Sequence, residues 1–355
     1  MEYSRTRDSR KTAYASVLAV FRLRADFPGA PNDSVEDRTV ASILDRICSS
    51  AQVPSVPIVA ANVLKACNDP TADFQKLASM ISADPSMVAK LLRMANSVGL
   101  GSQTPITSLH NGLVRMGIKV TRAAALGFAL EAEVSNNVPE SFDIQRFWRH
   151  SLTTAAAARA IADVKCPGRS DEAFAAGLLQ DIGLVAIQCA MPEKSDEVFA
   201  ERKRLKAELH QVEKKLIGVT HMEVGAHLLK KWGVPSEVYE PIRYHHRVEH
   251  AERTGISNET LEVARMLFFA TLVTRLFNYT DKTRTREAAI VVAEEDLNIP
   301  VETLDRILAN VEKSVRETCD LFGVDPSTIT SYESIREEAA QQGAAGGREA
   351  EIHGN

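Results

Sequence analysis

An all-α fold is predicted for this 355-residue chain by three features. β-Branched alternation is scarce. Ala, Leu, Glu, Lys and Arg dominate the periodic segments, and apolar residues recur at three- and four-residue spacing. Hydrophobic residues make up 45% and charged residues 25%, an ordinary globular balance.

Asp84-Pro85 is a clear helix start, with Asp as N-cap and Pro at the first helical position. Met87, Val88, Leu91, Leu92 and Ala95 then fall on one face. Thr107-Ser108 offers a second cap, Leu109, Leu113 and Met116 line a short helix, and Gly117 ends it. A further helix is expected from Lys119 to Val134. The segment from Asp143 to Val164 reads as a longer helix carrying Trp148, His150 and an alanine-rich face; Trp148 and Trp232 are expected in packing roles. Ser170 is the expected cap of the next helix, which contains A-G-L-L-Q-D-I-G. Glu197 to Leu216 reads as one charged helix with the stripe Leu205, Leu209, Val212 and Leu216, its charges on a solvated face. Pro235-Ser236 marks another start. A turn-rich stretch, H-A-E-R-T-G-I-S-N-E, is followed by helices over Leu261 to Tyr279, Arg286 to Glu295 and Val301 to Phe322.

Boundaries are expected near Pro54, Pro57 and residues 250–259. They give an N-terminal helical flank (1–50, its start disordered), a central domain (51–255), a C-terminal helical region (256–335) and a disordered tail (336–355). The tail's Gly- and Ala-rich composition from Gln341 onward supports that last assignment.

A net charge of −5 gives no electrostatic reason to expect nucleic acid or anionic lipid as partner. Lys230-Lys231 and the arginines from Arg243 to Arg247 read as solvated surface. Cys48, Cys67, Cys166, Cys189 and Cys319 are scattered, odd in number and form no C-x-x-C pair, which suits a reducing cytoplasm and core roles. The longest apolar candidate for a membrane span, Met266 to Thr274, lies between Arg265 and Arg275 and is too short for a bilayer. The basic N-terminus has no apolar core or cleavage site of a secretory signal. Gly99-Leu100-Gly101 is too sparse for a phosphate cradle.

One constellation carries chemistry. His150 lies in F-W-R-H-S-L, Asp181 in L-L-Q-D-I-G, His221 in T-H-M-E-V-G, and His245 and His246 in R-Y-H-H-R. Imidazole and carboxylate are the ligands of divalent hydrolytic metals, and each residue lies near an apolar segment able to position it. The same residues can equally form a buried cluster whose members satisfy one another.

The ordered motifs carry a resemblance. V-P-S-V-P-I-V-A comes first, then I-S-A-D-P-S-M-V-A-K-L-L-R-M-A-N-S and P-I-T-S-L-H-N-G-L-V-R-M-G. F-W-R-H-S-L, F-A-A-G-L-L-Q-D-I-G, H-M-E-V-G-A-H-L-L-K-K-W-G-V-P and Y-H-H follow. From Val53 to His250 the chain resembles HDOD-domain proteins, a branch of the HD phosphohydrolase superfamily found in bacterial signalling. The resemblance implies an all-helical HD-type bundle over 51–255.

It also implies a site to be checked residue by residue. An active HD hydrolase holds its metal with a first His, a His-Asp pair and a distal Asp. His150 matches the first His and Asp181 the Asp of the pair, but Gln180 stands in place of its His. Thr271, in F-F-A-T-L-V, is the best position for the distal Asp. A Gln amide and a Thr hydroxyl are neutral oxygens, so metal affinity should fall by orders of magnitude. His221, His245 and His246 resemble the extra histidines of HD-GYP cyclic-di-GMP phosphodiesterases, yet no G-Y-P occurs.

The resulting expectation is a cytoplasmic, non-catalytic regulatory protein with a vestigial site (His150, Gln180, Asp181, His221, His245, His246), no cofactor and no bound metal. Such a protein acts by contact with signalling or regulatory proteins. Homodimerisation or a nucleotide in the old pocket are further partners to consider, and neither nucleic acid nor membrane insertion is expected. Exposed apolar patches on the flanks at 1–50 and 260–335 would mark a docking surface. The alternatives are a metal-dependent phosphohydrolase or phosphodiesterase acting on nucleotides, and a nucleotide sensor that binds without hydrolysis.

Overall fold

The structure is a computed structural model that describes residues 33–67, 69, 73–96, 105–278, 282–335 and 337. The expected disordered start, the tail from Gln341 and the Gly99–Gly101 loop lie outside these residues. Sixteen α-helices and no strands occur among the described residues.

The N-terminal part comprises α1 (Asp33–Cys48), α2 (Ile58–Cys67), α3 (Phe74–Ile81), α4 (Pro85–Ala95) and α5 (Leu109–Asn137). Asp84 caps α4 by accepting from the Ser86 and Met87 amides at 3.0 and 3.1 Å. Met87, Leu91, Met94 and Ala95 are its buried face, whereas Val88 and Leu92 are only half-buried. Gly117 does break α5, at φ +73° and ψ 165°, a conformation that glycine adopts without Cβ strain. Helices α2, α3 and α4 all pack on α5.

The centre is α6 (Ile144–Lys165), against which α7 (Ser170–Leu179), α14 (Asn258–Asn278) and α16 (Val301–Cys319) pack. The alanine-rich face of α6 lets α7 come close. A Cβ on Gly177 would stand 2.9 Å from Ala155 Cα and 2.9 Å from the Thr154 carbonyl oxygen. Trp148 is buried between Phe147 and Phe322, at centroid distances of 5.1 and 5.3 Å. Between them run α8 (Ile182–Ala190), α9 (Pro192–Leu205), α10 (Leu209–Leu216), α11 (His221–Lys231), α12 (Ser236–Ile242), α13 (Val248–Arg253) and α15 (Lys282–Glu295). One continuous core runs from Leu44 in α1 to Ile335 near the C-terminal end of the described chain.

Four expectations are corrected. Ser170 is not a cap: it is the first residue of α7, and its hydroxyl donates to the Pro167 carbonyl at 3.1 Å. Glu197 to Leu216 is not one helix. Lys206 adopts a left-handed conformation (φ 52°), which ends α9 and turns α10 so that Val212 and Glu213 face inward. The flanks show no apolar patch among the described residues. The exposed large hydrophobic residues among the described ones, Val114, Val164 and Phe199, all lie within 51–255, while Leu44, Ile47, Leu304, Ile307 and Leu308 of the flanks join the shared core. The longest apolar helical stretch is 167–190, not Met266 to Thr274. By length and composition it could cross a membrane, but 89% of its apolar window is buried inside the fold.

Candidate functional site

The helical break between α7 and α8 builds the site. Helix α7 is apolar on every side from Ala173 to Leu179, so it must be covered all round, and its end lies deep in the protein. Gln180 and Asp181 occupy the turn, with exposures of 0% and 5%. Asp181 has φ −100° and ψ 8°, so the chain pivots there into α8.

The first turn of α8 lies directly on the first turn of α11, because Gly183 has no side chain to hold them apart. A Cβ there would lie 2.8 Å from the His221 carbonyl carbon and 2.7 Å from the Gly225 amide nitrogen. That approach delivers His221 to Asp181. Thr220 and Glu223 form a reciprocal capping box at the start of α11, which fixes where the helix begins. Glu213 of α10 caps it a second time: its Oε2 accepts from the His221 amide at 2.9 Å and from His221 Nδ1 at 2.7 Å.

His245 and His246 follow α12 in a tight turn. His245 Nδ1 donates to the Ile242 carbonyl at 2.7 Å. A carboxylate and a carbonyl only accept hydrogen bonds, so the Nδ1 protons of His221 and His245 are assigned, and each ring turns Nε2 toward Asp181. Both Nε2 atoms stand 3.5 Å from Asp181 Oδ1, and neither has a hydrogen-bond partner. His150 Nε2 lies 3.3 Å from Asp181 Oδ2. Gln180 Nε2 donates to Asp181 Oδ2 at 3.2 Å and to Thr271 Oγ1 at 3.3 Å. Thr271 in turn donates to the Leu267 carbonyl at 3.0 Å. Gln180 and the four sequence-selected histidines therefore gather around the Asp181 carboxylate, and Thr271 joins them through Gln180.

Two contributors escape the sequence reading. Glu213 is only 2% exposed, although it sits in a charge-rich run expected to be solvated. His210, one turn before it, stacks on His246 with ring centroids 5.4 Å apart and planes 15° from parallel. Their signal was the three-residue spacing in H-Q-V-E, which puts both on one helical face beside buried Val212.

Burial and neighbouring charge pull the titrations apart. Burial alone would raise the Asp181 pKa, but the His150 and His245 rings pointing at it hold the carboxyl well below its ordinary value. Burial would likewise lower the His221 pKa; the Glu213 carboxylate, then Asp181, overturns this and raises it. Burial, reinforced by the charges of His245 and His221, keeps His246 well below its ordinary value. Burial and the His221 charge push His210 down to about 3. The mixed pattern is one of buried groups neutralising one another.

Two buried carboxylates, Asp181 and Glu213, need compensation. With neutral imidazoles, the Nε2 lone pairs of His221 and His245 would face a carboxylate, which is repulsive unless a proton or a cation lies between. Asp181, His221, His245 and His246 can each present one ligand atom with all four inside 4.8 Å of one another. This donor set fits a single first-row divalent cation, held by a different combination from the one the HD pattern implies. Protons on the imidazoles provide the same compensation without metal.

A cavity of about 230 Å³ beside His246 is lined by Glu249, Glu252, Glu295 and Asp296, with Arg265 as its cation. Arg265 is already paired with Glu252 at 2.7 Å.

Comparisons with known proteins agree with this architecture. The chain is 28% identical over 222 residues to an uncharacterized protein of Treponema pallidum (strain Nichols). The aligned part is 60% of this chain and 41% of the relative, so the chain spans about two fifths of that relative's length. An HDOD domain protein of unknown function from Geobacter sulfurreducens superposes with a TM-score of 0.58 at 23% identity, covering 78% of this chain and 99% of that one. A candidate phosphohydrolase from Shewanella amazonensis superposes at 0.61 and 22% identity, covering 79% and 98%. A candidate signal transduction protein from Marinobacter aquaeolei does so at 0.56 and 19%, covering 89% and 65%. At these identities the superpositions establish the fold. The HDOD domain family model matches residues 53–248, more than half of the chain, and the chain belongs to the HDOD domain family.

Proposed function

We propose that this chain is a non-hydrolytic signalling module that acts by binding regulatory proteins, with the Asp181 cluster kept as a polar centre of the fold. The observation that carries the reading is the Gln180 amide. It stands where the metal-binding His of an HD pair belongs, and it donates to both Asp181 Oδ2 and Thr271 Oγ1. A lone pair from that position would bind metal; the amide N–H instead occupies the carboxylate that a metal would use. Thr271, at the distal-acid position, offers no charge. The acidic lining beside His246 also opposes entry of a phosphate-bearing substrate or nucleotide effector, since like charges in a confined cavity repel.

A second reading, metal-dependent phosphohydrolysis, is favoured by one observation, the convergence of Asp181, His221, His245 and His246. These residues would hold the cation, with Glu213 orienting His221. A cation bound there would supply a water of lowered pKa.

Elemental analysis of protein purified without chelator, combined with turnover assays on cyclic dinucleotides, nucleotides and alarmones in added manganese, separates the two. We expect no turnover above buffer. Turnover that disappears in Asp181→Ala would overturn the non-hydrolytic reading. Regulatory binding itself is tested by crosslinking capture from native lysate at near-physiological concentration; recovery of no specific protein would count against it.

A further inference from the structure

Arg122 poses a separate question from the Asp181 cluster. It lies on α5 and is 9% exposed, yet no carboxylate lies within ion-pair distance of it among the described residues. Its Nη2 donates to the Cys67 carbonyl at 3.0 Å, and its Nε is buried with no partner at all. The carbonyl at the end of α2 offers partial negative charge, which does not neutralise a guanidinium. A buried cation with an idle donor is costly unless something pairs with it.

A cavity of about 160 Å³ adjoins this side chain. Its apolar wall includes Leu126, Leu179, Val234 and Val238, and Arg122, Lys119, Glu172 and Glu237 supply the polar groups. Glu172 is engaged by Lys119 at 2.6 Å and by Arg169 at 3.3 Å. Glu237 is an exposed residue that accepts from the Ser236 hydroxyl at 3.1 Å. Arg122 is thus the buried cation left without an acid in a cavity otherwise mostly greasy.

We infer that this cavity is a binding site for a small organic carboxylate. The carboxylate pairs with the Arg122 guanidinium, which lines the cavity, and a short apolar or aromatic body fills the space between α5, α7 and the segment leading into α12. The size fits: cavities of about 150 Å³ accept benzene. A planar carboxylate matches a guanidinium edge. The site touches none of the Asp181 ligands, so it stands whether or not the chain hydrolyses anything.

Benzoate is the probe. Thermal shift and calorimetry compare sodium benzoate with benzamide, inorganic phosphate and sodium chloride at equal ionic strength, using the full chain. We expect benzoate alone to raise the melting temperature and to move the Arg122 Nε–H resonance, assigned by its loss in Arg122→Lys. Arg122→Gln should weaken benzoate binding by about tenfold or more, the loss of one charge-assisted pair. Ala175→Leu, which fills the cavity from α7, should abolish binding while Arg122 remains. Equal response to benzamide would make this a plain apolar void, and equal response to phosphate a general anion site. Either result overturns the assignment, as does no response to benzoate or undiminished binding in Ala175→Leu. If Arg122→Gln does not fold, the wild-type panel and Ala175→Leu decide.

Discussion

Gly183→Ala tests the packing that assembles the site. The added methyl would lie 2.8 Å from the His221 carbonyl carbon and 2.7 Å from the Gly225 amide nitrogen, with the His221 oxygen nearer still. All three are backbone atoms, so no rotamer change relieves the overlap. To restore an ordinary contact of roughly 3.5 Å or more, α8 and α11 must move apart by about 1 Å. Overpacking of this kind costs about 1–3 kcal/mol when side chains can adjust, and more where backbone must move. We therefore expect a loss of at least about 3 kcal/mol, read as a fall in melting temperature of at least about 6 °C. Two glycines calibrate the experiment. A Cβ on Gly225 would lie 3.2 Å from the Gly183 nitrogen, so Gly225→Ala should cost less. Nothing lies within 4 Å of a Cβ on Gly168, so Gly168→Ala should be neutral or slightly stabilising. Calorimetry on the three variants gives the order. A Gly183→Ala protein that melts within about 1 °C of wild type would refute the reasoning, because an overlap that large would have to be visible in stability.

Three further outcomes follow from the site. Glu213→Gln removes one member of a buried pair whose His221 partner is 1% exposed; we expect a loss of about 3 kcal/mol in urea unfolding and a fall in the His221 pKa by NMR titration. Acidification should destabilise the fold through His210, which is neutral when folded down to about pH 3 but takes a proton near 6.5 when unfolded. Its contribution is therefore lost as pH drops below about 6.5, about 2 kcal/mol by pH 5. Wild type should accordingly lose about that much more than His210→Asn between pH 7 and pH 5 in urea unfolding, and parallel losses would refute it. His221 has the opposite sign: its raised pKa contributes stability that is complete below about 6.5 and fades as pH rises through the folded value. Gln180→His alone should give no turnover, since Thr271 still supplies no acid, whereas Gln180→His with Thr271→Asp should bind manganese more tightly than either single variant by calorimetry; hydrolysis in Gln180→His would show the ligand positions to be misassigned.

The sequence by itself determined the helical class and most helix starts, because caps and periodicity are local. Asp84-Pro85, Ser108 and Gly117 act through bonds and torsions spanning a few residues, so they can be read without knowing the fold. The motif order pointed to the HDOD family, and that resemblance is what set Gln180 and Thr271 at the positions expected for metal-binding groups. Chain separation defeats the same reading elsewhere. Gln180 and Thr271 meet across 91 residues, Arg122 reaches Cys67 across 55, and neither contact leaves a periodic trace. Glu213 and His210 looked like part of a charged surface because periodicity cannot say which face a helix buries. The left-handed turn at Lys206 made that choice, by rotating α10 inward. Only the tertiary structure decided that four scattered imidazoles share one buried carboxylate, because burial and long-range charge compensation are properties of the assembled core.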